Sequence, residues 1–326
     1  MTQRTNTRAE IIEWSVGDAP LRYSPVCAAI GNFDGVHKGH QQVVGAAVEA
    51  ANSLGRHSAV ITFDPHPREF FRQDKAPFHL VDRLEKDWLL SGLGVDRIIH
   101  VTFDDNLRCT DAEGFVRSVL PNLAIQELYA GSDFAFGKGR GGDIDSINEF
   151  GASVDITAHS VPLLMDANSV VISSSRIRAA LQAGEPMQAA EMLGHDWAIT
   201  GEVIKGDQRG RTIGFPTANI PLGNLLNPAF GVYAIQVFME DDNGPKLLGN
   251  GVANIGIRPT VGNRGVLCEA HIFDQDVDVY GRRLSVRLKS FLRAERKFGD
   301  IDELTTQVAR DAEAARTMLP PVKKTA

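Results

Sequence analysis

The sequence predicts an α/β domain built on a parallel sheet, followed by an antiparallel β-domain that ends in one helix. The chain has 326 residues, and at about 100–200 residues per domain this length indicates two domains. Its first half alternates short apolar runs with amphipathic stretches, the order expected when helices cover a parallel sheet. After Trp197, glycine and proline become frequent and the apolar runs become short and β-rich, which favours an antiparallel barrel or sandwich.

In the first half, predicted strands alternate with predicted helices. We expect strands over residues 26–30, 57–63, 97–103 and 127–130, and helices over residues 41–53, 83–90 and 112–119. Glycine or aspartate follows each strand, at Gly31, Asp64, Asp104 and Gly131. Since ligands of open parallel sheets bind at the carboxyl ends of the strands, we expect a binding site there.

Two helices are predicted before the β-rich part, over residues 173–184 and 185–194. Strands should follow over residues 198–204, 231–238, 247–255, 267–273 and 283–288, before a terminal helix over residues 301–318. The predicted first domain therefore spans residues 1–185, a linker spans 186–196, and the second domain spans 197–326.

Composition excludes several classes of protein. With 43% apolar and 23% charged residues, the chain can bury a core, so disorder is not expected. A net charge of −7 argues against a nonspecific nucleic-acid binder. No apolar run approaches the roughly 20 residues of a membrane span, and no secretory signal is expected. The three cysteines, Cys27, Cys109 and Cys268, show no CxxC spacing, so we expect reduced thiols and a soluble cytoplasmic protein.

The first candidate site is His37-Lys38-Gly39-His40, which follows a predicted strand and opens a predicted helix. Helix N-termini carry unpaired N–H groups and a partial positive charge, so they attract phosphate. Two histidines at this spacing can lie on one face of a helical turn and stabilise charge on a phosphate during transfer. A zinc site is a weaker alternative, because helical zinc pairs usually sit four residues apart beside a third ligand. An ordinary glycine-rich turn is the other alternative.

A second group of candidate phosphate ligands stands at the predicted start of the helix over residues 173–184. The group comprises Ser173, Ser174, Ser175, Arg176 and Arg178. Serine hydroxyls and helix N–H groups can hold phosphate oxygens, and arginine can bind phosphate with two hydrogen bonds. Plain helix capping by the serines and a solvated arginine are the alternatives.

The second candidate site lies in the β-rich half. A glycine- and arginine-rich segment contains Gly206, Arg209, Gly210 and Arg211, which suit a flexible flap over polyphosphate. The segment is not a P-loop, because GxxxxGK[ST] is absent. Thr217 and Asn219 alternate on an extended stretch, so both side chains can point the same way and hold Mg²⁺ carried by ATP. Alternatively, the hydroxyl and the amide tie down a turn.

These motifs resemble, in order, those of the bacterial bifunctional riboflavin kinase/FAD synthetase family. GNFDGVHKGH at 31–40 is similar to the HxGH motif of the nucleotidyltransferase superfamily. The further matching segments are TFDPHP at 62–67, GSDFAFG at 131–137, RGGD at 140–143, ISSSRIR at 172–178, RGRTIGFPTAN at 209–219, GVANIGIRPT at 251–260, EAHIFD at 269–274 and DVYG at 278–281. Ser175 stands where the family has threonine, and Val261 where it has phenylalanine.

The resemblance implies a Rossmann-like nucleotidyltransferase domain followed by a β-barrel riboflavin kinase domain with a C-terminal helix. The barrel would make FMN from riboflavin and ATP, and the first domain would make FAD and diphosphate from FMN and ATP, both with Mg²⁺ and with small molecules as the partners. His37 and His40 would stabilise the phosphates. The nucleotide would be contacted by five residues of the loop over 31–40, namely Gly31, Asn32, Phe33, Asp34 and Gly39. Asp64, Pro65, His66 and Asp133 would border the flavin pocket or the adjoining nucleotide pocket.

The resemblance also assigns a catalytic base to the barrel. Glu269 and His271 share one face of a predicted strand, and a carboxylate near ATP can accept the proton of a hydroxyl nucleophile. The family places this base at Glu269, whereas His271 is predicted to be a packed strand histidine. An edge-strand carboxylate in a surface pair is the alternative. Two other functions stay open: a riboflavin kinase with a silent first domain, and a flavin-binding regulatory or storage protein.

Overall fold

The computed structural model describes residues 8–74, 76–206, 215–241, 244–257, 265–275 and 277–322. The chain divides into two compact units. The first comprises the chain to residue 75 together with residues 83–173, and the second comprises residues 76–82 and the chain from residue 174 onward. The predicted linker at 186–196 stays a prediction.

The first unit is built on a six-stranded sheet in which every neighbouring pair is parallel. The strand order is β1-β4-β3-β2-β5-β6. The strands are β1 (Glu10–Trp14), β2 (Val26–Ile30), β3 (His57–Asp64), β4 (Arg97–Thr102), β5 (Ile125–Gly131) and β6 (Thr157–Val161). The predicted parallel α/β sheet is confirmed. The sequence analysis missed β1 and β6 at the edges of the sheet, where polar residues interrupt short strands.

Helices cover both faces of this sheet. They are α1 (Lys38–Leu54), α2 (Pro67–Phe71), α3 (Arg83–Ser91), α4 (Asp105–Cys109), α5 (Ala112–Gly114), α6 (Leu120–Asn122) and α7 (Ile144–Gly151), with a π-helical turn at Phe115–Val119 and a 3₁₀ turn at Lys138–Arg140. Along β3, Ala59 and Ile61 pack into one buried cluster and Val60 into the other. Because side chains of a strand alternate between faces, β2 and β3 read as continuous apolar runs when both faces are covered.

The second unit is an antiparallel sheet that nearly closes into a barrel. Its order is β7-β12-β9-β10-β11-β8, and a bridge between Ile204 and Asn219 links the two ends. The strands are β7 (Ala198–Glu202), β8 (Ala218–Pro221), β9 (Gly231–Asp241), β10 (Gly244–Ile257), β11 (Val266–Ile272) and β12 (Arg283–Ala294). The structure decides between the two predicted architectures in favour of the barrel.

Three helices complete this unit: α8 (Ser174–Gln182), α9 (Pro186–Leu193) and α10 (Ile301–Met318). The apolar face of α10 packs Ala312 and Ala315 against Val232 and Val252 of the barrel. All three helices were predicted. The short segment 76–82 also belongs to this unit, because the Trp197 indole donates a 2.6 Å hydrogen bond to the Leu80 carbonyl oxygen.

Candidate functional sites

The loop between β2 and α1 has an unusual backbone. Phe33, Gly35 and Val36 have φ values of 50°, 85° and 41°. A β-branched residue such as Val36 rarely adopts this left-handed conformation, so surrounding contacts must hold it. Phe33 and Val36 are each 1% exposed and belong to the buried cluster on one side of the sheet. The buried side chains of Phe33 and Val36 therefore hold the loop against this side of the sheet.

His37 and His40 stack on each other at the start of α1. Their ring centroids are 3.5 Å apart with planes inclined by 19°, and His37 Nδ1 accepts a 3.3 Å hydrogen bond from the His40 N–H. A Cβ at Gly39 would lie 3.2 Å from the ring of His37. Glycine therefore lets the His37 ring fold back over the first helical turn. The result is two imidazoles at a helix N-terminus, where the partial positive charge of the helix suits phosphate.

A chain of hydrogen bonds fixes the start of this loop. Lys86 on α3 donates to the Thr62 hydroxyl at 3.2 Å, and Thr62 donates to the Asn32 carbonyl oxygen at 3.3 Å. Burial lowers the pKa of the Lys86 amine, while the carboxylates of Asp87, Asp34 and others act in the opposite direction. Lys86 was not predicted, since a lysine between two acidic residues on a helix is typical of a solvated face.

A cavity of about 780 Å³ lies beside the loop in the first unit. Four of the predicted site residues line it: Gly31, Asn32, His66 and Asp133. The remaining walls are largely aromatic or cationic, and include Phe63, Phe71, Phe103, Phe115, Phe134, Phe136, Arg68, Arg108, Lys138 and Arg140. Aromatic walls suit a flat ring system, and cations suit phosphate. The sequence analysis missed these side chains, although the FAFG part of the quoted motif contains two of the phenylalanines.

The TFDPHP segment differs from its prediction. From the sequence alone, the prolines on either side of His66 predict a stiff extended loop. In the structure Pro67 begins the short helix α2, so this expectation is wrong. Proline is tolerated in the first turn of a helix because that turn needs no N–H donor. His66 caps the helix, its Nδ1 accepting a 3.0 Å hydrogen bond from the Arg68 N–H. Asp64, which precedes Pro65, forms a 2.9 Å ion pair with Arg83.

The serine segment lies where the chain passes from the first unit to the second. The Ile172 carbonyl oxygen, just before the serines, lies 3.9 Å from the position of a Cβ at Gly39 at the start of α1. Arg178 donates a 2.8 Å hydrogen bond to the Phe78 carbonyl oxygen, which helps hold the segment 76–82. The phosphate-binding role of Ser173, Ser174, Ser175, Arg176 and Arg178 stays a prediction.

In the barrel, strand register brings the candidate catalytic residues together. Glu269 on β11 pairs with Asn219 on β8 and with Asn254 on β10. Directly opposed residues point to the same face of a sheet, so the three side chains form one row. The Asn254 amide nitrogen lies 3.5 Å from Glu269 Oε2 and 3.1 Å from Glu295 Oε1. The sequence analysis did not assign Asn254 or Glu295, because their proximity depends on the sheet.

Two predicted residues flank this row. A Cβ at Gly206 would lie 2.5 Å from the Asn219 amide nitrogen, so any larger residue here would displace the Asn219 side chain. Thr217 lines a second pocket with Asp278 and Tyr280, among others. The predicted flap residues Arg209, Gly210 and Arg211 lie outside the described residues.

His271 has contacts of a structural kind. Its Nδ1 lies 2.8 Å from the Pro216 carbonyl oxygen, and its ring meets the ring of Phe215 edge-on at 5.2 Å. These contacts tie β11 to the turn before β8 and agree with the prediction that His271 is a packed strand histidine.

Within the described ranges, no group of three or more His, Cys, Asp or Glu side chains is arranged to hold a metal ion. Among the helices in the same ranges, none combines the length and apolar character needed to cross a membrane.

Comparison with known proteins gives matches over both units. The family model described as FAD synthetase matches residues 21–176, and the one described as riboflavin kinase matches residues 193–319. A bifunctional riboflavin kinase/FMN adenylyltransferase from Escherichia coli (strain K12) is 40% identical over 288 residues, covering 88% of this chain and 90% of the relative. A protein of the same name from Bacillus subtilis (strain 168) is 38% identical over 293 residues, with 88% and 90% covered.

Among solved structures, a protein from Streptococcus pneumoniae described as a macrolide-efflux protein has a similar fold. Its TM-score is 0.80 at 28% sequence identity, with 94% of this chain and 99% of that chain covered. The similarity therefore extends over nearly the whole length of both proteins.

Proposed function

This chain belongs to the bifunctional riboflavin kinase/FMN adenylyltransferase family, and we propose that it makes FAD in two ATP-dependent steps. The barrel unit converts riboflavin and ATP to FMN and ADP. The α/β unit converts FMN and ATP to FAD and diphosphate. The observation that carries the proposal is that one chain contains both the stacked His37–His40 pair at a helix N-terminus and the Glu269 row on the barrel.

For adenylyl transfer, we propose that an FMN phosphate oxygen attacks the α-phosphorus of ATP. The new P–O bond forms as the bond to the β-phosphate oxygen breaks, and diphosphate leaves. His37, His40 and the first N–H groups of α1 stabilise the charge that develops on the phosphates. Phosphoryl-type transfer depends mainly on positioning and charge stabilisation, so no covalent nucleophile from the protein is needed.

The flavin ring is proposed to occupy the aromatic cavity of the α/β unit. The rings of Phe71 and Phe103 lie 5.7 Å apart, and those of Phe134 and Phe136 also lie 5.7 Å apart. His66 and Asp133 contribute polar contacts from the same cavity, with Asp64 and Pro65 in the adjoining segment. On the nucleotide side, Asn32, Asp34, Gly31 and Gly39 contact ATP, and Phe33 contributes through its backbone, since its ring is buried.

For the kinase step, Glu269 is proposed to accept the proton of the terminal ribityl hydroxyl. The hydroxyl oxygen attacks the γ-phosphorus of ATP, and ADP leaves. The Thr217 hydroxyl and the Asn219 amide oxygen are hard neutral ligands that fit Mg²⁺ brought by ATP. When bound, this ion supplies positive charge to the phosphates. Gly206 and the flap residues Arg209, Gly210 and Arg211 are proposed to cover the nucleotide.

The two alternative functions predict different products. A riboflavin kinase with a silent first unit makes FMN but releases no diphosphate when FMN and ATP are the only substrates. A regulatory or storage protein binds flavin without consuming ATP. The presence of the Glu269 carboxylate in this row supports catalysis over binding alone, because flavin binding by itself needs no general base.

One assay tests the proposal. Purified protein is incubated with riboflavin, ATP and Mg²⁺, and the flavins are separated by chromatography. Both FMN and FAD are expected, with diphosphate released in a second reaction that contains FMN and ATP only. If neither flavin product forms, the proposed function is wrong, and FMN without FAD identifies the kinase-only alternative.

A cytoplasmic location also remains a proposal, supported by the free thiols of Cys27, Cys109 and Cys268.

A further inference from the structure

Helix α3 directs a set of charged side chains toward the carboxyl ends of β3 and β4. Arg83 forms an ion pair with Asp64 at 2.9 Å, and Asp87 contacts Nε2 of the buried His100 at 2.8 Å. Between them, Lys86 reaches the Thr62 hydroxyl at 3.2 Å. These groups lie next to the two loops that are proposed to bind the nucleotide and the flavin. Helix α3 itself carries none of the motifs that identified the site.

Lys86 is connected to the nucleotide loop in two ways. The first is the hydrogen-bond chain through Thr62 to the Asn32 carbonyl oxygen, with lengths of 3.2 and 3.3 Å. The second is charge, because the Lys86 ammonium interacts with the carboxylates of Asp34 and Asp64. Asp34 is only 4% exposed, so solvent screens its charge weakly. Lys86, together with Arg83 beside Asp64, supplies the positive charge near these carboxylates; without it, both would repel the phosphates of ATP and FMN.

We propose that Lys86 is a positioning residue for adenylyl transfer: it holds the Asn32 carbonyl through Thr62 and offsets the charge of Asp34 and Asp64, so that the loop accepts phosphates. This inference rests on the proposed adenylyl transfer in the α/β unit. Lys86 acts through Thr62 and the loop rather than on the reacting atoms. Substituting Lys86 should therefore change the binding and alignment of ATP and FMN.

Two substitutions separate the charge from the hydrogen bond. Lys86→Met removes both, whereas Thr62→Val removes the hydroxyl link and leaves the ammonium in place. We expect Lys86→Met to lower kcat/KM for FAD formation from FMN and ATP by about 10- to 100-fold, the size of a lost hydrogen bond to a charged group. Thr62→Val should lower it by about 5- to 10-fold. FMN formation from riboflavin should stay within about twofold of wild type in both variants, because Lys86 and Thr62 lie outside the barrel unit.

Arg117→Met is a matched control for loss of a cation from the same unit. Arg117 forms a surface ion pair with Glu113 at 3.0 Å and does not line the cavity. Exposed pairs of this kind contribute little, so both activities should be unchanged.

A pH profile distinguishes positioning by charge from a purely structural role. The charged groups facing Lys86 are Asp34 on the loop after β2, Asp64 at the end of β3, and Asp87 and Arg83 on α3. Burial lowers the pKa of the Lys86 amine, so the cation is lost, as pH rises, at a lower pH than for an ordinary lysine. We expect kcat/KM for FAD formation to fall on the alkaline side. Lys86→Arg should keep activity near neutral pH and move this fall to higher pH, because arginine stays protonated.

The outcomes separate the inference from the function on which it rests. If wild-type protein makes no FAD, the proposed adenylyl-transfer activity is wrong, and the inference about Lys86 falls with it. If wild type makes FAD and Lys86→Met keeps its kcat/KM, the inference about Lys86 is overturned. Equal loss of both activities together with a lower Tm would also overturn it, unless Thr62→Val, at wild-type Tm, still reduces FAD formation selectively. An alkaline fall that is identical in wild type and Lys86→Arg would contradict the charge role.

Discussion

The two candidate sites are assembled in different ways. In the α/β unit, the central imidazoles come from one short segment, and His37 and His40 meet because a helix begins between them. In the barrel, Glu269, Asn219 and Asn254 come from three strands and meet through antiparallel register. The first kind of site can be recognised from local spacing. The second depends on pairing, since a one-residue slip of β11 would turn Glu269 to the opposite face.

The difference also affects how each site tolerates change. The loop over residues 31–40 combines left-handed residues with a closely packed histidine pair, so small changes in the loop should disturb alignment. In the barrel, Glu269, Asn219 and Asn254 lie on regular extended strands that are paired with neighbouring strands. Substitutions there should act through the chemistry of the side chain that is lost, with less effect on the surrounding backbone.

The largest expected effect is on the barrel site. Glu269→Gln should lower kcat for FMN formation by about 10²- to 10⁴-fold, because a general base is lost while shape is kept. FAD formation from supplied FMN should continue at the wild-type rate. Both products can be followed by chromatography of the flavins. Glu313→Gln, an exposed position on α10, is the matched control. Equal loss of both activities would show that the two sites are not separable as described.

The converse substitution tests the α/β site. His40→Ala should reduce kcat/KM for FAD formation by about 10²- to 10³-fold, the range for removing one group that stabilises transition-state charge. FMN formation from riboflavin should be preserved. His57→Ala serves as control, since the His57 side chain is 54% exposed and its Nδ1 lies 3.4 Å from Asp96 Oδ2, in a surface contact. A His40→Ala enzyme with normal diphosphate release would remove the histidine pair from the mechanism.

A smaller effect is expected from a single methyl group in the loop. Gly39→Ala places a Cβ 3.2 Å from the His37 ring, so the ring must shift. We expect about a 10-fold lower kcat/KM for FAD formation, since small misplacements of catalytic groups are costly. Gly45→Ala on the same helix meets nothing within 4 Å and should leave activity unchanged while raising stability by up to about 1 kcal/mol. Steady-state kinetics of both variants, measured side by side, check the comparison.

The smallest expected effect concerns the stability of the barrel unit alone. The Asp300 side chain caps α10 by accepting a 2.8 Å hydrogen bond from the Glu303 N–H. Asp300→Ala should lower the free energy of unfolding by about 1 kcal/mol. Hydrogen exchange should show the loss in α10 and in the strands that it covers, with little change in the parallel sheet. A uniform loss of protection across both units would contradict this expectation.

Much of the fold could be predicted because local patterns agree with the tertiary environment. The spacing of apolar residues predicted β2 at Val26–Ile30 and the last helix at Ile301–Met318 with the bounds that the structure has. Prediction failed where the local pattern was weak, at the polar edge strands β1 and β6. It also failed at Pro67, where the first turn of a helix was mistaken for an extended loop.

For the sites, sequence analysis identified residues in the family's motifs and missed those outside them. Lys86 and Glu295 carry no local signal, since each looks like an ordinary charged residue on a solvated surface. The aromatic walls of the cavity come from segments separated along the chain, so their proximity was not evident either. The roles assigned to individual site residues remain predictions for the assays above to test.

By itself, the sequence determined the two-part architecture, the family resemblance and the loop over residues 31–40, because periodicity, spacing and glycine positions act over a few residues. Only the tertiary structure decided that the second unit is a barrel, that the segment 76–82 belongs to it, and that Lys86 connects through Thr62 to the Asn32 carbonyl. The physical reason is that burial, strand register and paired charges depend on residues far apart in the chain. Such contacts exist only after the sheets and helices have packed.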